Sequence, residues 1–138
     1  MRRGLTLLLI FALGGCVPYP TFRKVRPDVA LMVVDRRQSL IEGAKVTLIS
    51  TTHPEGYVRS RDTLETGPDG MVRFPGKRAL RIEVLFLHRG PIYFWNWCVE
   101  KEGFVTYFTN GPHTKVFADE RWVVLKAGPS RACPAEFR

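Results

Sequence analysis

The sequence predicts an all-β protein, a single antiparallel β-sandwich of seven or eight strands. Three observations carry that expectation. Short runs rich in Val, Ile, Thr, Phe, Tyr and Trp recur along the chain, several with a two-residue alternation of apolar and polar positions. Gly, Pro, Asp and Asn punctuate them at short intervals. Past the first fifteen residues, no apolar stripe at helical spacing is long enough to hold a helix.

The first element is the exception. Arg2 and Arg3 precede an apolar run from Leu5 to Leu13, roughly nine residues against the ~20 a helix needs to span a bilayer. A charged start, a short apolar core and small residues before a cut site describe a secretory signal, and Val17-Pro18-Tyr19-Pro20 ends any helix there. At that boundary, Leu13-Gly14-Gly15-Cys16 resembles the lipobox of bacterial lipoproteins. The resemblance implies cleavage between Gly15 and Cys16, a diacylglyceryl group on the Cys16 thiol and an N-acyl chain on its new amino terminus. No other cofactor is expected. Several acyl chains together anchor a protein stably, where one alone binds only marginally. Val17, rather than aspartate, follows the cysteine. In a Gram-negative cell that points to the outer membrane, facing the periplasm. Residues 1–15 are thus expected to be a signal peptide, 16–27 a lipidated tether, and 28–138 the β-sandwich.

The expected strands follow in order. The tether, "VPYPTFRKVRP", is rich in proline and base and shows little periodicity. "DVALMVVD" (28–35) is β-rich, and "AKVTLIST" (44–51) alternates with Val46 and Leu48 on one face. "VRSRDTLET" is polar and alternating, as suits an edge strand. "GPDG" (67–70) is a turn, and "MVRF" turns Val72 and Phe74 inward. "ALRIEVLFL" (79–87) aligns Leu80, Ile82, Val84 and Phe86 on one face. "IYFWNWCVE" and "FVTYFTN" are expected to form a hairpin across "KEG", and "RWVVLKAG" is the last strand.

Part of this pattern resembles carboxypeptidase regulatory-like, transthyretin-like domains. Val33-Val34-Asp35 fits their Val-x-Asp opening, and Leu40-Ile41-Glu42-Gly43-Ala44-Lys45-Val46 follows their next segment with leucine in place of proline. Thr66, Asp69, Gly70, Val72 and Phe74 match the second half. The resemblance covers about the first half of the mature domain and implies a Greek-key sandwich rather than an activity. Gly43 and Gly70 would occupy its tight turns. The 5-hydroxyisourate hydrolases share the fold, but their Tyr-Arg-Gly-Ser tail has no counterpart in the terminal "CPAEFR".

Composition narrows the function. The chain is 45% hydrophobic and 12% aromatic, enough for a real core, and removing residues 1–15 from the 138 leaves 123, one ordinary domain. The net charge is +8, or +6 once the two leader arginines are removed (19 basic residues against 13 acidic). The basic residues look scattered, with no run longer than pairs such as Arg36-Arg37 and Lys77-Arg78. A solvated surface is therefore expected, and nucleic acid is excluded as a partner for an anchored envelope protein. His53, His88 and His113 are not spaced as metal ligands, and no Gly-x-Ser-x-Gly, His-Glu-x-x-His or phosphate-loop motif occurs. Asp119-Glu120 reads as a solvated turn. Neither catalysis nor a metal is expected.

With Cys16 lipidated, Cys98 and Cys133 form an even pair for an oxidising compartment, and a disulfide is expected. Two free buried thiols are the alternative. In a strand, Tyr93, Trp95, Trp97 and Val99 share one face; Phe94, Asn96, Cys98 and Glu100 share the other. Pairing Cys98 opposite Thr106 adds Val105 and Tyr107 to the first face, and Phe104, Thr106 and Phe108 to the second. The first is expected in the core. On the second, either the tail "GPSRACPAEFR" folds back, fastened by Cys98–Cys133 and capped by Phe137, or the aromatics stand open. Phe94, Phe104 and Phe108, with Trp95 and Trp97, are thus the candidate binding surface. The functional expectation is a non-catalytic envelope interaction, assembly or immunity module with a protein partner. The alternative is a carbohydrate- or peptidoglycan-binding domain.

Overall fold

The computed structural model describes residues 18–53, 58–84, 92–109 and 121–135. Among them are nine strands and no helix: β1 Pro18–Arg26, β2 Val29–Asp35, β3 Lys45–His53, β4 Val58–Glu65, β5 Met71–Phe74, β6 Lys77–Val84, β7 Ile92–Glu100, β8 Tyr107–Phe108 and β9 Trp122–Leu125. Two sheets, β5-β2-β9 and β4-β3-β7-β8, form the sandwich, and β1 pairs with β6 as a separate two-stranded ribbon. The all-β expectation holds.

Alternation builds the core. Leu31 and Val33 of β2, Val72 and Phe74 of β5, and Val123 and Leu125 of β9 turn one way and are buried. They meet Val46 and Leu48 of β3 and Trp97 and Val99 of β7. The Phe74 and Trp97 rings lie 5.7 Å apart at an interplanar angle of 50°, the tilted arrangement that aromatic quadrupoles favour. Strand β4 lies at the edge of its sheet, where its polar alternation costs nothing.

Thr66 joins the turn before β3 to the end of β4. Its hydroxyl accepts from the Ala44 N–H (2.9 Å) and donates to the Ile41 carbonyl (2.6 Å), all in a buried site. Gly43, in the same turn, has φ +65° and donates to the Thr66 carbonyl. Gly70 closes the 67–70 turn at φ +64°, where a Cβ would stand 3.0 Å from the Val33 carbonyl oxygen and 3.2 Å from Leu40. Only glycine meets both demands.

Two expectations need correction. Residues 18–26 are not a tether but strand β1, in antiparallel register with β6 from Pro18↔Val84 to Arg26↔Lys77. In that pairing Leu80 and Ile82 stand opposite Phe22 and Pro20, and they are 59% and 73% exposed. The sandwich is also not wholly antiparallel, because β9 runs parallel to β2, Met32 opposite Trp122 and Asp35 opposite Leu125. Strand β8 lies in the other sheet, so the connection to β9 is a crossover and no hairpin fixes its direction.

Candidate functional site

The aromatic surface expected on β7 is largely closed. Trp97 is fully buried in the core. Trp95 is half-buried, and its indole N–H donates to the Val25 carbonyl at 3.3 Å. Phe104 packs against the core, contrary to the expected outer position, because residues 101–106 turn instead of continuing as a strand. Its backbone bridges Ala127, while Val105 N–H and Gly128 N–H donate to Lys126 and Gly103 carbonyls. Of the five residues, Phe94 is half-buried and Phe108 alone is substantially exposed, at 48%. The hairpin register differs as well. Cys98 faces Phe108 rather than Thr106, a shift of two residues that preserves the faces.

The tail covers that outer face. Cys98 and Cys133 are disulfide-bonded, with Cα atoms 6.0 Å apart. Near β8, the Arg131 N–H donates to the Thr106 hydroxyl (2.8 Å), which in turn donates to the Arg131 carbonyl. Over β7, the Cys133 N–H donates to the Glu100 carboxylate. At β4, the Arg61 guanidinium donates to the Pro134 and Ala135 carbonyls. The strap thus crosses from β8 over β7 to β4, above β3. Ile49 of β3 turns outward yet is completely buried, as a side chain beneath such a strap would be. Phe137 lies outside the described residues, as do Cys16, Gly15, His88, His113, Asp119 and Glu120.

Among the described residues, one group of side chains brings metal-ligand atoms together, and its members are already engaged. The Cys98 and Cys133 sulfurs and the Glu100 carboxylate lie within 4.8 Å of one another, but the sulfurs are bonded to each other and Glu100 binds the tail. An open hollow of about 640 Å³ is lined by Lys45, Glu100, Lys101, Glu102 and Ser130. There the Lys101 ammonium is spent on the Glu42 and Gly43 carbonyls, at 2.7 and 3.3 Å.

A different surface is open. The outward residues of β5-β2-β9 are apolar apart from Arg73, and they range from the buried Val34 to the exposed Trp122. Met71, Met32 and Trp122 stand in a row across the three strands, with Val34 beside Val124 and bridged to Leu40. Trp122 is 67% exposed, Leu40 53% and Val124 45%. Arg73 and Lys126 share this face and are exposed. An accessible tryptophan among adaptable thioethers, rimmed by cations, has the chemistry of a protein-binding surface with a central anchor. The sequence carried a signal for it. "ALMVVD" and "WVVL" are apolar at both parities, the pattern of strands covered on both faces, yet only one face is core. Among the described residues, no helix is long and apolar enough to cross a membrane. No protein-family model matches the chain, and no curated protein or solved structure matches it.

Proposed function

We propose that this chain is an outer-membrane lipoprotein, anchored through Cys16 and facing the periplasm, whose transthyretin-like sandwich is a non-catalytic protein-interaction module. The observation that carries the interaction is the exposed Trp122, with Val124 and Leu40, beside the half-buried Met32 and Met71 in the row across the sheet. The anchor is supported by the lipobox Leu13-Gly14-Gly15-Cys16 after a charged, short apolar leader. The sugar-platform reading is less well supported, since Trp97 is buried and Trp95 half-buried with its N–H engaged.

Two expected results test the parts separately. Cys16→Ser leaves an unacylated protein that no longer partitions into detergent; unchanged acyl labelling and partitioning would remove the lipoprotein reading. A photocrosslinker at Val124 captures a discrete envelope protein in cells. Trp122→Ala weakens that capture roughly 30-fold, the scale of a truncated interface anchor, with stability changed little because the ring is exposed. Capture that is absent, or indifferent to Trp122, would rule out this face as the interaction site.

A further inference from the structure

The ribbon β1–β6 holds nearly all of the mature chain's net charge. Its seventeen residues carry six cations (Arg23, Lys24, Arg26, Lys77, Arg78 and Arg81) against one acid, Glu83. That is an excess of five out of the six expected for the mature chain. The basic residues that look scattered in sequence are therefore gathered by the pairing of two distant segments. The same ribbon has an unpartnered apolar face. Phe22 stands opposite Leu80, and Pro20 opposite Ile82. Phe22 is 71% exposed, Leu80 59% and Ile82 73%.

Position supplies the occupant. One end of the ribbon is clamped to the sandwich. The bulge at Val25 leaves a carbonyl that accepts from Trp95, Arg26 Nε donates to the Pro75 carbonyl at 2.8 Å, and the Arg26 guanidinium pairs with Asp62 at 3.2 Å. The other end, Pro18 paired with Val84, is the end from which the chain leads back to Cys16, two residues away in sequence. Two residues span at most about 7 Å, so an acyl group on Cys16 would enter the bilayer beside the apolar face. The ribbon itself is roughly 25 Å long at about 3.3 Å per residue.

We infer that the β1–β6 ribbon is a membrane-docking surface for anionic phospholipid, laying Phe22, Leu80 and Ile82 into the headgroup boundary while Lys24 and Arg78, paired on the same face, meet lipid phosphates and the other ribbon cations add to the attraction. Apolar side chains bury at that depth, and long basic side chains reach to the phosphates along their aliphatic stems. The placement beside the lipid rests on the anchoring reading proposed above; the ribbon's own affinity for lipid does not. Docking would fix the orientation of the sandwich on the membrane rather than leave it swinging on a tether.

The test uses the full mature chain carrying Cys16→Ser, free of acyl groups, with vesicles of phosphatidylethanolamine and phosphatidylglycerol against vesicles of phosphatidylcholine alone. The protein is expected to sediment with the anionic vesicles, progressively less as salt rises, and hardly at all with the neutral ones. Lys24→Gln/Arg78→Gln lowers partitioning about 25-fold, near fivefold for each cation at an anionic surface. Phe22→Ser/Ile82→Ser lowers it about tenfold or more. In the chain without ribbon substitutions, hydrogen exchange at residues 18–26 and 77–84 slows when anionic vesicles are added, a readout that needs no variant to fold. The proposal is overturned if anionic vesicles neither bind the protein nor slow that exchange, or if both variants bind undiminished. It is equally overturned if Phe22 and Ile82 instead support a dimer in solution without vesicle binding, which would assign the face to a second copy. Acyl labelling of the native Cys16 reports the anchor independently, so failure of either reading is seen by itself.

Discussion

Trp97→Ala is expected to destabilise the domain by roughly 3–5 kcal/mol, the range for deleting a large buried aromatic. Among the described residues, Trp97 is the largest fully buried side chain, and it lies on β7 where the two sheets meet. Removing it takes apolar surface out of the core and leaves a cavity whose walls belong to both sheets. Hydrogen-bonded strands cannot shift far enough to fill such a space. The tilted contact with Phe74 at 5.7 Å is lost as well, about 0.5–1.5 kcal/mol beyond area alone. Trp97→Phe keeps part of that contact and should cost less. Urea unfolding of both variants, with m unchanged and the midpoint lowered, is the measurement. A loss below about 1 kcal/mol in Trp97→Ala would mean that the core does not close around this ring.

The core was legible because it depends on parity. Val46, Leu48, Val72 and Phe74 fall on inward positions by alternation alone, and all are buried. Parity does not identify which sheet a strand joins or in which direction. The apolar run of β6 alternates like a core strand, but its partner is β1 and its apolar residues point away from the sandwich. In sequence, residues 18–26 look like a tether because they are rich in proline and base and show little periodicity, yet their prolines are compatible with a ladder. Prolines two residues apart remove N–H groups from one side of a strand only, and β1 has a neighbour on one side only. The parallel pairing of β9 was invisible for a related reason. Direction follows from the path of a crossover, and four apolar residues record nothing of it.

Function was less legible than fold. The aromatics on β7 are consecutive and therefore conspicuous in sequence, but consecutive residues on a strand divide between two faces. Trp97 went to the core, and Cys98 went under the tail. The row Met71–Met32–Trp122 comes from three separate segments brought side by side, so no local motif contains it. The charge of the ribbon is hidden in the same way, split between residues 18–26 and 77–84.

Breaking the Cys98–Cys133 bond is expected to cost about 3–4 kcal/mol, from the loop entropy of a 35-residue separation. Part of that cost should appear as local release of the tail. Among the described residues, the strap is also held by the Thr106–Arg131 and Thr106–Ser130 hydrogen bonds, the Glu100–Cys133 bond and the Arg61 bonds to Pro134 and Ala135. Most of these are exposed, where each contributes about 1 kcal/mol or less. Once the covalent tie is gone, they compete with water and with the freedom of an unfastened terminus. Lifting the strap would uncover Ile49 and the outer side of β7, so the reduced protein should bind a hydrophobic dye before it unfolds. The oxidised protein should show no free thiol until denatured and reduced. Trypsin should cut after Arg131 quickly in Cys98→Ala/Cys133→Ala and slowly in the bridged protein; alanine serves better than serine because Cys98 is wholly buried and a hydroxyl there would lack a partner. Arg61→Ala, which leaves the bridge intact, should speed that cleavage far less. Equal resistance at Arg131 with and without the bridge would show that the tail's own contacts hold it, and the disulfide's contribution would then lie in the unfolded chain alone.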